Sequence, residues 1–259
     1  MKTTVDYKEI EDLSKQYYKL SSNNIDHEKY TAYALTHHST VIEGCTLTES
    51  QMINLLEFGK TTSSKPYEHH FMVSDLYKAF LFMNYYSRSN EQVNLDFIQE
   101  LGGLVVKNKG GLVSTIGGNF DISKGEFRLC AVHAGSRFFP DYKKIPKLIT
   151  DFIKETNSEL QKVKTFREKM ELAFKIHFDF LSMHPFGDGN GRTARLLTNY
   201  IQNHFEIPYT IVLKEDRLKY YKALEKAREE ENLQPFYDFM FSQHLKLIKR
   251  EIKKILRTK

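Results

Sequence analysis

The chain has 259 residues, 41% hydrophobic and 27% charged, with a formal net charge of +5. That suits a folded domain whose core needs no disulfide or metal staple, and it excludes disorder, collagen-like repeats and a disulfide scaffold. Cys45 and Cys130 are the two cysteines and have no metal or redox spacing. No apolar run approaches the ~20 residues of a membrane span. The charged N-terminus, MKTTVDYKEIEDLSKQ, lacks the apolar stretch of a signal peptide, so the expectation is a reducing, cytoplasmic setting.

Helical periodicity dominates the chain. Residues 5–20 and 26–43 read as helices, and Thr48-Glu49-Ser50-Gln51 has the form of a capping box that opens another. Residues 67–86 form a long apolar-striped helix and residues 95–101 a shorter one. The stretch 102–140 is richer in glycine, with Gly102, Gly103, Gly110, Gly111, Gly117, Gly118, Gly125 and Gly135. With the β-prone run Phe127-Arg128-Leu129-Cys130-Ala131-Val132, it predicts loops and a β-hairpin. Helices resume over 145–157 and from about residue 166, where Leu172, Ala173, Ile176, Phe180 and Met183 make one apolar face. That helix must stop near His184, because Pro185 disfavours helical geometry in the residue before it. A glycine-rich loop, a helix over 192–204, a break at Ile207-Pro208 and helices over 216–230 and from 235 onward complete the chain.

The fold expected is mainly α with a small hairpin. An N-terminal helical segment is expected over 1–60, a core domain over 61–245 and a basic helix end over 246–259. The mild net charge gives no footprint for nucleic acid, so none is expected as a partner. The tail KLIKREIKKILRTK, with seven Lys or Arg against one Glu, reads as a terminal helix that packs Leu245, Ile248, Ile252, Ile255 and Leu256 and leaves its charges solvated.

The segment that carries chemistry is His184-Pro185-Phe186-Gly187-Asp188-Gly189-Asn190-Gly191-Arg192-Thr193-Ala194-Arg195. Three glycines at alternate positions, Gly187, Gly189 and Gly191, let backbone approach a ligand closely. The loop opens a helix, whose first-turn N–H groups and dipole favour an anion. Arg192 and Arg195 lie three apart on that turn, and arginine's planar fork suits phosphate. Asp188 is placed to hold a hard cation such as Mg²⁺ against the same phosphates. Asn190 adds a side-chain amide to the anion cradle, and Phe186 points inward as an anchor. His184 is the group there that can take a proton near neutral pH. Together these residues imply transfer of a phosphorus group to an acceptor that His184 deprotonates.

These residues match in full the motif HPFx[DE]GNGRxxR, and the chain therefore resembles the Fic family. Similarity extends outward to Ala173 and His177 on the preceding helix and Leu196-Leu197 on the following one. It also reaches Gly125-Glu126-Phe127-Arg128 with Val132 and Pro140, which is similar to the family's flap region, and Arg217, Tyr220, Tyr221, Ala223 and Leu224, similar to its adenine-side segment. The resemblance implies a mostly helical bundle with a β-hairpin flap. It implies transfer of AMP from ATP to a Ser, Thr or Tyr hydroxyl of a protein, with Mg²⁺ and release of pyrophosphate. His184 is then the general base and Asp188 the metal ligand, Gly189, Asn190 and Gly191 form the anion hole, and Arg192 and Arg195 hold the β- and γ-phosphates. Tyr221 lies on the nucleotide side, and the flap, near Cys130, Ala131, Val132 and His133, presents the target segment as an added strand.

Upstream, Ser39-Thr40-Val41-Ile42-Glu43-Gly44 resembles the [ST]xxxE[GN] inhibitory helix of Fic proteins whose inhibitor precedes the core. In those the glutamate pairs with the second motif arginine, here Arg195, occupying the fork meant for the γ-phosphate. His177 reads as a packed, hydrogen-bonded residue, since no third metal ligand stands at suitable spacing. Three alternatives remain at this point: removal of AMP from a modified protein, transfer from a donor other than ATP, and a non-catalytic nucleotide-sensing module. The target protein and association between copies of the chain are left open.

Overall fold

The computed structural model describes residues 6–21, 25–89, 91–135 and 137–257. Helix α1 (Tyr7–Ser21) is followed by α2 (Ile25–Ile42), α3 (Glu49–Phe58), α4 (Tyr67–Arg88) and α5 (Leu95–Val105). Two short antiparallel hairpins come next, β1 (Leu112–Thr115) with β2 (Gly118–Asp121) and β3 (His133–Ala134) with β4 (Arg137–Phe138). Helices α6 (Ile145–Leu160), α7 (Phe166–Met183), α8 (Asn190–His204), α9 (Arg217–Glu229) and α10 (Gln234–Arg257) complete the chain. The architecture is a helical bundle, as the sequence predicts, with two small β-hairpins where one was expected.

Helix α8 is the central element. It contacts α2, α4, α5 and α7, and Leu196, Leu197, Tyr200 and Ile201 are all buried. The predicted apolar face of α7 is buried throughout, from Leu172 and Ala173 to Ile176, Phe180 and Met183. The capping box at Thr48 is present, with the Gln51 N–H donating to the Thr48 hydroxyl and the Thr48 N–H to the Gln51 side chain. Helix α10 packs on α1, and Ile248 and Ile252 lie buried against Tyr17. Several charges of this helix are paired within the fold, Lys246 with Asp216, Lys249 with Glu9 and Lys254 with Glu251. Leu256 departs from the expected stripe and is exposed.

Two expectations for the glycine-rich stretch are corrected. Gly102 and Gly103 are helical, inside α5 rather than in a loop. A Cβ on Gly102 would stand 2.3 Å from the Phe186 ring, and one on Gly103 would stand 2.8 Å from the Gly125 nitrogen. These glycines serve close packing at some cost in helix propensity. The run Phe127–Val132 forms no strand; its backbone is held by other groups, with the Arg128 N–H donating to the Pro185 carbonyl. The strands form instead at 112–121 and 133–138, where two short turns allow antiparallel pairing.

Candidate active site

Helix α7 ends at His184, whose φ of 50° and ψ of 60° put it in the left-handed region. Its N–H still donates to the Phe180 carbonyl, so the residue is both the helix terminus and the first residue of the loop. Pro185 then turns the chain, and Phe186 plunges into the core beside Phe127 and Phe180, with ring centroids 5.5 and 5.9 Å away. Gly189, with φ of 83°, caps α8.

Asn190 does something the sequence did not suggest. Its side-chain oxygen accepts from the Phe186 N–H and its amide donates to the Phe186 carbonyl, at 3.0 and 2.9 Å. The side chain is spent on closing the loop, and is not offered to an anion. It fixes the loop around the Phe186 anchor.

The two arginines go to different partners. The Arg192 Nη1 donates to the Val105 carbonyl at the end of α5, 3.0 Å away, and Nη2 lies 3.3 Å from Asp188. The Arg195 Nε donates to the Ser39 hydroxyl at 2.7 Å, while Nη2 donates to the Ser39 carbonyl at 3.1 Å and to Glu43 Oε1 at 2.6 Å. The Arg195 side chain is 5% exposed and that of Glu43 28%. Glu43 sits just past the end of α2, so that helix delivers the carboxylate to the first turn of α8. Gly191 makes room for it, because a Cβ there would fall 2.4 Å from Glu43 Oε1. Gly44, with φ of 95°, turns the chain immediately afterwards. Burial alone disfavours the Arg195 cation, but the Glu43 carboxylate overrides it and holds the guanidinium firmly protonated.

Asp188 accepts from the Gly189 N–H at 2.6 Å and lies 3.4 Å from the Lys109 ammonium. Burial raises its pKa, but Arg192 and Lys109 together hold it below the usual carboxylate range. Lys109 was not singled out in the sequence. It arrives because the preceding residue, Asn108, is pinned by buried Asp75, which accepts the Asn108 N–H at 2.8 Å. Among the described residues no cluster of three or more His, Cys, Asp or Glu is placed to hold a metal. The residues nonetheless fit Mg²⁺, which commonly takes one carboxylate and completes its shell with phosphate oxygens and water. Asp188 would be that carboxylate, and the Arg192 Nε and Arg195 Nη1, both buried without a hydrogen-bond partner, leave donors that a phosphate would satisfy.

His184 is largely enclosed. Its ring stacks on Phe139 at 4.0 Å and 21°, and the Arg137 guanidinium lies 4.7 Å from the other ring of that stack. Burial, with the Arg128 and Arg137 cations, pulls its pKa down to about 4 despite the opposing influence of Glu43. The imidazole is therefore neutral near pH 7 and free to accept a proton. Its Nδ1 is buried without a partner.

Of the remaining sequence-predicted residues, Tyr221 is 40% exposed, with the Arg217 guanidinium 5.4 Å from its ring. Arg217 Nε in turn donates to the Ile42 carbonyl next to Glu43. Cys130 is half-buried and its carbonyl accepts from Arg128. Ala131 and Val132 lead into the second hairpin, where the Val132 carbonyl accepts from the Phe139 N–H. His133 is exposed, and its Nδ1 lies 3.2 Å from the Gly135 carbonyl in its own turn. His177 is fully buried between Thr198 and Tyr220, at 2.8 and 2.7 Å, a core histidine as expected.

The Fic/DOC family model matches residues 92–202, a span that contains α5, both hairpins and the whole loop. Protein adenylyltransferase fic-1 of Caenorhabditis elegans is 30% identical over 226 residues, covering 86% of this chain and 41% of that protein. Protein adenylyltransferase Fic of Drosophila melanogaster is 30% identical over 205 residues, covering 79% and 39%. The chain thus spans about two-fifths of the length of these curated relatives. Among solved structures, a Fic domain containing signaling protein from Bacteroides thetaiotaomicron superposes with a TM-score of 0.81 at 22% identity, over 95% of this chain and 96% of the other. Fic-1 from C. elegans gives 0.80 at 24% identity, over 97% and 72%. At these identities the structural matches speak for the fold alone. The loop and the helices around it therefore lie in a segment, residues 92–202, that matches the Fic/DOC family, within a fold shared with solved Fic structures.

Proposed function

We propose that this chain transfers AMP from ATP to a Ser, Thr or Tyr hydroxyl of a protein, and that Glu43 restrains the reaction. The observation that supports it best is the pairing of Arg195 with Glu43 and Ser39 at the start of α8. A buried arginine at a helix N-terminus, behind a glycine-rich loop, is a phosphate site. A carboxylate on its fork competes with a phosphate for the same donors. The relatives' names, protein adenylyltransferase, point to the same chemistry.

In this reading His184 takes the proton from the target hydroxyl. The oxygen attacks the α-phosphorus, the new O–P bond forms, the bond from that phosphorus to the bridging oxygen breaks, and pyrophosphate leaves. The negative charge of the triphosphate favours the imidazolium, and raises the low basicity that burial imposes on His184. Arg192 and Arg195 neutralise the β- and γ-phosphates, and the N–H groups that open α8 receive the α-phosphate. Mg²⁺ on Asp188, when bound, supplies further charge neutralisation to the phosphates. The target segment lies along the β3–β4 hairpin, which faces the His184–Phe139 stack.

Removing the Glu43 carboxylate leaves a buried arginine without its counter-charge, at a cost on the order of 3–5 kcal/mol that an incoming phosphate recovers. Glu43→Gly is therefore expected to raise label transfer from α-³²P-ATP with Mg²⁺ by about tenfold or more, with His184→Ala on that background abolishing it. Equal labelling by wild type and Glu43→Gly would remove the restraint from this reading. A second reading, removal of AMP from a modified protein, draws on the placement of the Glu43 carboxylate at the start of α8, on Arg195. There the carboxylate orients a water, and Glu43→Gly abolishes activity.

A further inference from the structure

Arg128 is fully buried, at 0% exposure. Its guanidinium uses every side on backbone carbonyls: Nε donates to His184 at 2.8 Å, Nη1 to Cys130 at 2.7 Å and Nη2 to Pro140 at 2.6 Å. Its own N–H donates to the Pro185 carbonyl at 3.0 Å. A cation satisfied by neutral carbonyls alone is an expensive thing to bury, and burial does depress the Arg128 guanidinium below its ordinary pKa. An aliphatic core residue would fill the space more cheaply.

What the expense secures is geometry. Cys130 and Pro140 are the two feet of the β3–β4 hairpin, and His184 is the candidate base in a left-handed conformation that a non-glycine residue rarely adopts. One side chain therefore ties both feet of the hairpin to the carbonyl of the residue that must take the proton. The ring of that residue stacks on Phe139, the residue immediately before Pro140. Moving the hairpin feet would tilt the stack, and releasing the His184 carbonyl would free its strained backbone. Lysine cannot replace this arrangement, since a single ammonium lacks the planar fork that reaches three acceptors.

We infer that Arg128 is a positioning residue that locks the hairpin feet and the backbone of His184 into one rigid unit, setting the base against the docked hydroxyl. This rests on the transferase reading above. Arg128 touches none of the groups assigned to the nucleotide, neither Asp188 nor Arg192 nor Arg195. Its loss is therefore expected to slow transfer while leaving nucleotide affinity in place. The charged groups that act on His184 are Arg128 itself, Arg137 and Glu43, so loss of Arg128 also relieves the depression of the imidazole.

The test compares Arg128→Lys and Arg128→Gln with the parent, all carrying Glu43→Gly. Self-labelling with α-³²P-ATP and Mg²⁺ is read as kcat, KM for ATP and pH profile. A fluorescent non-hydrolysable ATP analogue gives affinity, and NMR of labelled histidines gives the His184 titration. Expected are a drop in kcat of about 100-fold, the size that a 1 Å misplacement can bring, with analogue affinity within about twofold. In Arg128→Gln the His184 titration moves up from about 4, while burial and Arg137 still hold it below its ordinary value. A parent-like kcat and pH profile in both variants overturns the inference, as does a loss of analogue affinity that tracks the loss of rate. If Arg128→Gln does not fold, Arg128→Lys, which keeps the charge, carries the same kinetic readouts. Absence of label in the parent itself would count against the transferase reading. A crystal structure of Arg128→Lys then decides the inference, an unmoved His184 backbone and Phe139 stack overturning it.

Discussion

At the scale of single residues, the restraint proposed for Arg195 would draw on two contributors of unequal strength. Glu43 supplies a charge and Ser39 supplies a hydroxyl on Nε and a carbonyl on Nη2. A hydrogen bond to a charged group contributes on the order of 1.5–3 kcal/mol, less than a counter-charge in a buried setting. Ser39→Ala removes the hydroxyl and keeps the carbonyl, so label transfer should rise above wild type yet stay below Glu43→Gly. A Ser39→Ala rate at or below wild type would take the hydroxyl out of the restraint. The same scale shows why two motif residues have different fates. Arg195 sits opposite the end of α2 and meets the Glu43 carboxylate, whereas Arg192, three residues earlier, faces the end of α5 and meets the Val105 carbonyl and the loop's own Asp188.

At the scale of elements, the loop is held by α5 as much as by the helices that flank it. Phe186 lies against the backbone of α5 at Gly102, so the glycine is a packing requirement. In an open helix Gly→Ala would add up to about 1 kcal/mol of stability. Here the Cβ meets the aromatic ring at 2.3 Å, and overpacking of that kind costs about 1–3 kcal/mol. Gly102→Ala should therefore lower the urea midpoint, and because the Phe186 ring anchors the loop, label transfer should fall with it. A raised midpoint would mean that the ring and α5 have room to separate. The basic end of α10 is explained at this scale too. Lys246, Lys249 and Lys254 pair with acids of the turn before α9, α1 and α10 while the apolar stripe covers Tyr17, so the charges decorate a packed helix.

At the scale of the whole molecule, buried histidines set the response to acid. Burial lowers His38 and His244 to about 3 and His184 to about 4, and it lowers fully enclosed His177 well below its ordinary 6.5. His244 is held neutral between the Ser14 and Thr210 hydroxyls, and His38 accepts the Lys214 N–H. Between those depressed values and 6.5 the unfolded chain binds more protons than the folded one. The contribution is thus full above about pH 6.5 and is lost as pH falls below it, on the order of 1.4 kcal/mol per pH unit for each such group. The urea midpoint should be lower at about pH 5 than at about pH 7.5, with His244→Gln reducing the difference. Equal midpoints would mean that these imidazoles gain protons without leaving the fold. Among the described residues no helix is long and apolar enough to cross a membrane.

The helical class, the chemistry of the loop and the end of α7 at His184 were written in local sequence, because Pro185, three alternate glycines and a repeating apolar face act over a few residues each. The capping box at Thr48 and the inward turn of Phe186 were equally local. The positions of the strands were not, since Phe127–Val132 carries β-prone residues but gives its hydrogen bonds to the loop and to Arg128. Gly102 and Gly103 read as loop because propensity sees a missing side chain and cannot see Phe186 and Gly125 arriving from elsewhere. Asn190 read as a ligand for an anion because nothing local shows that the Phe186 backbone lies beside its amide. The meeting of Glu43 with Arg195 joins residues 152 apart in the chain, and that of Arg128 with His184 joins residues 56 apart. Sequence by itself determined which groups are present and which helices carry them. Only the packing of α2, α5 and the second hairpin around α8 decided which groups touch, because burial and hydrogen bonding depend on neighbours that the chain brings together last.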